Sequence, residues 1–88
     1  MHRSYLFVPG NRPDRFDKAC ATRAHAVIVD LEDAVPAADK ERARAALTQW
    51  LTPQRQVLVR VNAADTPWFG DDLRVCEQPG VGGIVLPK

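Results

Sequence analysis

Four short apolar runs, separated by helix-like segments, constrain the fold of this chain more than any other feature. The runs are SYLFV (4–8), AVIVDL (26–31), QVLVRV (56–61) and GIVLP (83–87). Each run is short and is either rich in β-branched residues or bounded by Gly or Pro, which favours a strand over a helix. Strands that alternate with helices are typical of right-handed βαβ units, and the sequence therefore predicts a parallel sheet.

The three intervening segments carry helix signals. The first opens with Asn11 and Pro13 and places residues 16, 19, 20 and 24 on one face. The second follows Pro36 and carries apolar residues at 43, 46, 47, 50 and 51, and the third covers 69–76 with apolar residues at 69, 73 and 76. The pattern predicts a single α/β unit of four strands and three helices, with no linker.

This number of elements leaves two architectures open. A (β/α)8 barrel needs eight βα units and typically ~250 residues, whereas the 88 residues hold three and a half units. An open, doubly wound sheet of four strands also fits the pattern. The turn after the first strand reads PGNRP, so the glycine-rich fingerprint of a dinucleotide-binding fold is missing from it.

Composition argues against several classes of partner. The formal net charge is +1 and 45% of residues are hydrophobic, so we expect no nucleic-acid binding, which needs a clustered basic patch. No apolar stretch approaches the ~20 residues of a membrane span, and the N-terminus lacks the apolar core of a signal peptide. We therefore expect a cytoplasmic protein. Basic residues gather locally at Arg12, Arg15, Lys18 and Arg23, and the acids Asp14 and Asp17 lie between them. Interspersed charges of this kind are typical of a solvated helix face.

The two cysteines, Cys20 and Cys76, lie far apart and have no metal-ligand spacing. We interpret both as small, buried apolar residues rather than as metal ligands or reactive thiols.

Charged residues gather where the second and third strands end. The stretch AVIVDLEDAVP carries three acids within four positions, Asp30, Glu32 and Asp33. Strand alternation places Asp30 and Glu32 on one face, and it places Arg60 and Asn62 on the equivalent face of the third strand. The opposite faces are entirely aliphatic and suit covering helices. Ligands of parallel α/β proteins bind outside the carboxyl ends of the strands, where these polar residues lie.

If the two strands are neighbours, Arg60 lies near Asp30 or Glu32, within a strand spacing of about 5 Å. Such a pair can be purely structural. However, three acids against one arginine leave excess negative charge that a metal or another cation would balance. An arginine fork also binds a carboxylate at two points. The residues alone therefore predict either a small-acid or metal-assisted site or a structural charge network.

Four motifs make the pattern more specific: RSYLFVPGNRPDRFDKA, VIVDLEDAVPAADKERAR, VLVRVNAADTPWFGDDL and GIVLPK. In this order they resemble the start of the citrate lyase β-subunit-like family of the HpcH/HpaI aldolase superfamily. The resemblance implies the N-terminal half of a TIM (β/α)8 barrel, strand–helix–strand–helix–strand–helix–strand. It also implies Mg²⁺ and cleavage of citryl-CoA, malyl-CoA or citramalyl-CoA into an oxo acid and acetyl-CoA or a homologue. A homo-oligomer, trimer or hexamer, is implied as well.

The resemblance implies roles for individual residues. Arg60 of VRVN matches the arginine that holds the carboxylate of the oxo acid. Glu32 and Asp33 of DLEDAV match acids beside the metal, which they reach through its bound waters, and with Arg60 they form the expected catalytic set. Asp30 belongs to the substrate-binding set, where it supports this arrangement. The residues that match coenzyme A contacts are Phe7, Arg12 and Lys18, and Lys88 falls at the mouth of the barrel.

The chain departs from the family in length. The direct Mg²⁺ ligands of the family, a Glu and an Asp, and a late catalytic Asp lie on later strands that these residues do not include. We therefore expect the 88 residues to be inactive alone. Two alternatives stay open: cleavage of a free hydroxy-oxo acid, as in class II aldolases, or a non-catalytic half-barrel that associates with another chain.

Overall fold

The computed structural model describes residues 4–22, 24 and 26–87, so that Arg23 and Lys88, both part of the sequence predictions, lie outside the described residues. It confirms the α/β fold with four parallel strands in the order β1-β2-β3-β4. The strands are β1 (Tyr5–Pro9), β2 (Ala26–Asp30), β3 (Val57–Arg60) and β4 (Val81–Val85), and the helices are α1 (Phe16–Cys20), α2 (Lys40–Trp50) and α3 (Phe69–Cys76). Short 3₁₀ turns, Pro13–Arg15 and Ala37–Asp39, lead into α1 and α2.

One face of the sheet carries the hydrophobic core. Side chains from all three helices pack in one cluster with the aliphatic face predicted for the strands. Sequential strand order with the helices on one face is the arrangement of a β/α barrel, whereas doubly wound sheets carry helices on both faces. The architecture is therefore that of the first half of a barrel. The core residues include Phe16, Val27, Val29, Ala43, Leu47, Val57, Val59 and Val75.

The strand register brings the predicted polar ends together. Pro9 pairs with Asp30, and Asp30 pairs in turn with Arg60, so that their side chains lie side by side at the carboxyl edge of the sheet. Phe7 lies two residues before Pro9 on the same face of the sheet, opposite Ile28. We call this side, away from the helices, the open face of the sheet. Within the described residues, every helix is too short or too polar to span a bilayer.

Two details of the helices differ from the prediction. Helix α1 has only five residues, and its buried face is filled by Phe16 and Ala19; Cys20 is therefore exposed, contrary to the prediction of a buried residue. Cys76 is only partly buried. In α3 the predicted residues Phe69 and Cys76 pack against the core but are only partly buried, whereas Asp72 and Val75 are buried; Asp72 accepts a hydrogen bond from the backbone N–H of Asn62.

Gly10 and Gly70 allow a matched test of the fold. A Cβ on Gly10 would lie 2.8 Å from Leu31 Cδ2 and 3.0 Å from the Asp30 carbonyl oxygen, whereas a Cβ on Gly70 would meet nothing within 4 Å. Gly10→Ala should lower the free energy of unfolding by about 1–3 kcal/mol through overpacking. Gly70→Ala should raise it by ~0.5–1 kcal/mol, because alanine is the better helix former. Urea unfolding of both variants checks the two signs; equal effects would contradict this account of the close approach at Gly10.

Candidate functional site

The acids that follow β2 lie on a turn whose backbone is fixed by Asp30. We call residues 31–35 the acidic turn. Asp30 Oδ1 accepts a hydrogen bond from the backbone N–H of Glu32 at 2.8 Å, and Oδ2 accepts one from the N–H of Ala34 at 3.0 Å. The N–H of Val35 donates to the carbonyl of Glu32 and closes the turn. A short carboxylate at the last strand position thus organises the backbone that follows it.

The same carboxylate binds Arg60 at two points. Arg60 Nε donates to Oδ1 at 2.9 Å, and Nη2 donates to Oδ2 at 2.6 Å. Each oxygen of Asp30 therefore accepts one backbone and one guanidinium hydrogen bond, and the residue is only 1% exposed. This forked geometry fixes the plane of the guanidinium.

The pair shifts the pKa of both groups in the direction that keeps them charged. Burial alone would raise the pKa of Asp30, but the hydrogen bonds from Arg60, Glu32 and Ala34 outweigh it and the net pKa is lowered. The hydrogen bond to Asp30 raises the pKa of Arg60 against the effect of burial, and the charges of Asp30, Glu32 and Asp33 add to the rise. The ion pair is therefore fully formed at neutral pH.

Two further contacts surround Arg60. Its guanidinium carbon lies 4.8 Å from the centre of the Phe7 ring, a cation–π contact that reaches across the end of β2. Glu32 Oε1 lies 3.7 Å from Arg60 Nε. Among residues 4–22, 24 and 26–87, no acceptor is hydrogen-bonded to Nη1. Arg60 thus keeps donors for a ligand while Asp30 and Phe7 hold its orientation.

The carboxylates of Glu32 and Asp33 remain accessible. The side chain of Glu32 is 33% exposed, and Asp33 is exposed. In the described part of the chain, no three His, Cys, Asp or Glu side chains form a group that could bind a metal ion. Two accessible carboxylates fit Mg²⁺ through its bound waters, since this ion usually keeps several waters in protein sites. They do not make a complete set of direct ligands.

The three residues predicted to contact coenzyme A line a single groove. Phe7, Arg12 and Lys18 border a space of ≈ 450 Å³ beside β1 and α1, together with Asp14 and Arg15. Arg12 also forms an exposed forked pair with Asp14, through Nε at 3.2 Å and Nη2 at 3.1 Å. The structure therefore brings these residues together, and it gives Phe7 and Arg12 additional partners within the chain.

Asn62 lies elsewhere than the strand pattern suggested. Its side chain is buried and donates to the carbonyl of Leu31 at 3.0 Å and to Asp72 Oδ2 at 2.6 Å, and its backbone N–H donates to the same oxygen. Arg44 Nη1 lies 3.5 Å from the other oxygen of Asp72. Asn62 therefore ties the β3–α3 loop to α3 and to the acidic turn and does not join Arg60 on the open face.

Lys40 is the site residue that the sequence reasoning missed. It is the first residue of α2, and its ammonium group is buried against the acidic turn. A signal was present: Lys40, Ala43 and Leu47 follow i, i+3, i+7 spacing, which places Lys40 on the buried face of the helix.

Comparison with known proteins identifies the family. Residues 3–88 match the family model described as HpcH/HpaI aldolase/citrate lyase. A citrate lyase subunit beta-like protein of Deinococcus radiodurans is 42% identical over 98% of this chain and 33% of its own length. The L-malyl-CoA/beta-methylmalyl-CoA lyase of Cereibacter sphaeroides is 37% identical over 99% of this chain and 30% of its own.

Solved structures agree with this result. The crystal structure of CitE from Mycobacterium tuberculosis in complex with magnesium, acetoacetate and coenzyme A matches 96% of this chain and 31% of its own chain, with a TM-score of 0.79 and 44% sequence identity. The present chain thus spans about a third of the length of these relatives. On the match of residues 3–88, the chain belongs to the HpcH/HpaI aldolase/citrate lyase family.

Proposed function

We propose that these residues form the N-terminal part of a Mg²⁺-dependent lyase that cleaves a 3-hydroxyacyl-CoA thioester into an oxo acid and acetyl-CoA or a homologue. The observation that carries the proposal is the forked Asp30–Arg60 pair at the carboxyl edge of the sheet, in which Arg60 Nη1 has no hydrogen-bond partner among the described residues. Relatives named as a malyl-CoA lyase and a citrate lyase beta-like protein support it. A cytoplasmic location and a homo-oligomer, trimer or hexamer, belong to the same proposal.

Arg60 would bind the carboxylate of the oxo-acid half of the substrate. Cleavage breaks the bond between C2 and C3 of the acyl chain while the 3-hydroxyl group loses its proton. The oxo acid leaves with the new carbonyl, and the thioester enolate takes up a proton at C2. Negative charge moves through the reacting atoms during this step, and a cation whose orientation is already fixed stabilises it without reorganising.

The acids have separate roles in this proposal. Glu32 and Asp33 would hold a hydrated Mg²⁺ through its waters, and the bound metal would supply positive charge to the oxo acid. Asp30, buried and occupied by four hydrogen bonds, orients Arg60 and the acidic turn. The groove beside β1 offers a ring at Phe7 and cations at Arg12 and Lys18, which suit the adenine and phosphates of coenzyme A.

The first experiment is an intact mass of the protein made from its native gene, followed by assay with Mg²⁺. We expect about three times 9.8 kDa, because the chain covers 33% of a relative. The protein should release acetyl-CoA or a homologue from malyl-CoA, citramalyl-CoA or citryl-CoA and lose this activity in EDTA. A mass of 9.8 kDa with no turnover would favour the non-catalytic half-barrel that pairs with another chain.

A second candidate is cleavage of a free hydroxy-oxo acid, in which Arg12 would keep its exposed partner Asp14 and bind no phosphate. The two candidates differ in the effect of Arg12→Ala. For a thioester lyase this change should raise KM for the thioester several-fold, and the control Arg42→Ala, an exposed arginine paired with Asp39, should not. Turnover of free 4-hydroxy-2-oxo acids without any turnover of thioesters would establish the second candidate instead.

A further inference from the structure

The ammonium group of Lys40 is bound by the backbone of the acidic turn. Nζ donates to the carbonyl oxygens of Leu31 at 3.1 Å, Glu32 at 2.9 Å and Val35 at 2.9 Å, and the residue is only 6% exposed. An ammonium has three N–H donors, so these three carbonyls use all of them. A lysine is rarely buried in this way unless its charge is compensated.

The compensation comes from dipoles and a ring rather than from a carboxylate. Among the described residues, no acid lies within ion-pair distance of Lys40. The indole of Trp68 instead lies with its centre 5.0 Å from Nζ. Because Trp68 belongs to the β3–α3 loop, Lys40 connects the acidic turn with this loop.

Lys40 and Asp30 bind complementary backbone groups of the acidic turn. Asp30 accepts from the N–H groups of Glu32 and Ala34, and Lys40 donates to the carbonyls of Leu31, Glu32 and Val35. Without the ammonium, the carbonyl oxygen of Val35 would have no donor among the described residues, and those of Leu31 and Glu32 would keep one donor each, Asn62 Nδ2 and the Val35 N–H. The loss of three charge-assisted hydrogen bonds, one of them at an otherwise unpaired carbonyl, favours opening of the turn.

We propose that Lys40 is a positioning residue that fixes the acidic turn and thereby presents the carboxylates of Glu32 and Asp33 to a hydrated divalent cation. The role of Lys40 toward the cation rests on the proposed function, whereas its fixing of the turn rests on the contacts in the structure alone. It assigns a task to the buried charge, since an apolar side chain of equal length would fill the same space without binding the three carbonyls.

Hydrogen exchange tests the fixing of the turn without any ligand. In Lys40→Met, which keeps the side-chain stem, the amides of Glu32 and Ala34 should exchange at least tenfold faster, and the amides of Val29 and Val59 should change several-fold less. Lys40→Arg should restore part of the protection because it keeps the charge. A uniform loss of protection over turn and strands would show that Lys40 contributes only to global stability, and would overturn the proposal.

Metal binding tests the presentation of the acids. With Mn²⁺ as the probe, Lys40→Met should weaken binding to the full-length protein about tenfold, and Arg42→Met, an exposed position on the same helix, should not. Unchanged Mn²⁺ affinity in a variant with a loosened turn would overturn the proposal. No Mn²⁺ binding by the unsubstituted protein would contradict the proposed function, and the exchange comparison would still decide whether Lys40 holds the turn. If Lys40→Met fails to fold, Lys40→Arg carries the comparison, with faster turn amides and unchanged strand amides expected.

Discussion

Replacing Arg60 with lysine is expected to lower kcat/KM for the thioester by about 10²–10³-fold while the protein stays folded. The guanidinium binds both oxygens of Asp30 through Nε and Nη2, and in the proposed function Nη1 binds the substrate carboxylate. An ammonium is a point charge that pairs with Asp30 or with the substrate carboxylate, but it cannot make the planar two-point contact and keep a directed donor. Steady-state kinetics at saturating Mg²⁺ measure the loss, and circular dichroism confirms the fold.

The matched control is Arg42→Lys, which changes an exposed arginine whose partner is Asp39. Its kcat/KM should equal that of the unsubstituted protein, because exposed ion pairs contribute little. Near-normal turnover in Arg60→Lys would mean that Arg60 is a structural partner of Asp30 and that another group binds the substrate carboxylate.

The position of the Asp30–Arg60 pair was predictable because it depends on regular geometry. Side chains alternate along a strand, and parallel strands in sequential order end at one edge of the sheet. Asp30 and Arg60 end their strands on the same face. They therefore lie side by side once β2 and β3 are neighbours in the sheet, as the register confirms. The order of elements and the aliphatic helix-facing side followed from the same periodicity.

The contacts that complete the site were not predictable because they depend on loops and on long side chains. Asn62 lies two residues beyond Arg60, the last residue of β3, where strand alternation no longer applies, and two hydrogen bonds to Asp72 hold it in the interior. Lys40 donates a hydrogen bond to the carbonyl of Leu31, nine residues earlier in the chain, and the sequence alone does not predict this contact. Such contacts need the backbone path of each loop, which sequence patterns do not specify.

Phe7 illustrates the same limit within the sheet. The resemblance assigned it to coenzyme A, and in the structure it lines the groove beside β1 but also lies under Arg60, 4.8 Å from the guanidinium carbon. Phe7 and Arg60 are on strands separated by β2. Only the register, together with the length of the arginine side chain, brings them into contact, so that one aromatic ring borders both parts of the candidate site.

Asp30→Asn should have the largest effect on stability, lowering the free energy of unfolding at pH 7 by about 3–5 kcal/mol. The amide has nearly the same shape as the carboxylate, but in either orientation its NH₂ group would face one N–H of Arg60 and one backbone N–H, that of Glu32 or that of Ala34, all of which are donors. The change also removes the nearest counter-charge of the partly buried guanidinium, which keeps Glu32 Oε1 at 3.7 Å. Urea unfolding followed by tryptophan fluorescence measures the difference.

The difference should depend on pH with a sign set by the lowered pKa of Asp30. A carboxylate whose pKa is lower in the folded protein than in the unfolded chain, about 3.9, stabilises fully above the unfolded value. This stabilisation is lost as the pH falls through the folded pKa. The difference in free energy of unfolding between the unsubstituted protein and Asp30→Asn should therefore be constant near neutral pH and should narrow below about pH 4.

Asp14 provides the matched control, because it binds Arg12 through Nε and Nη2, as Asp30 binds Arg60, but is exposed. Asp14→Asn should leave the free energy of unfolding nearly unchanged both near neutral pH and below about pH 4. If the two substitutions had equal effects, the burial of the Asp30–Arg60 pair and its contacts with the acidic turn would contribute no stability beyond that of an exposed ion pair.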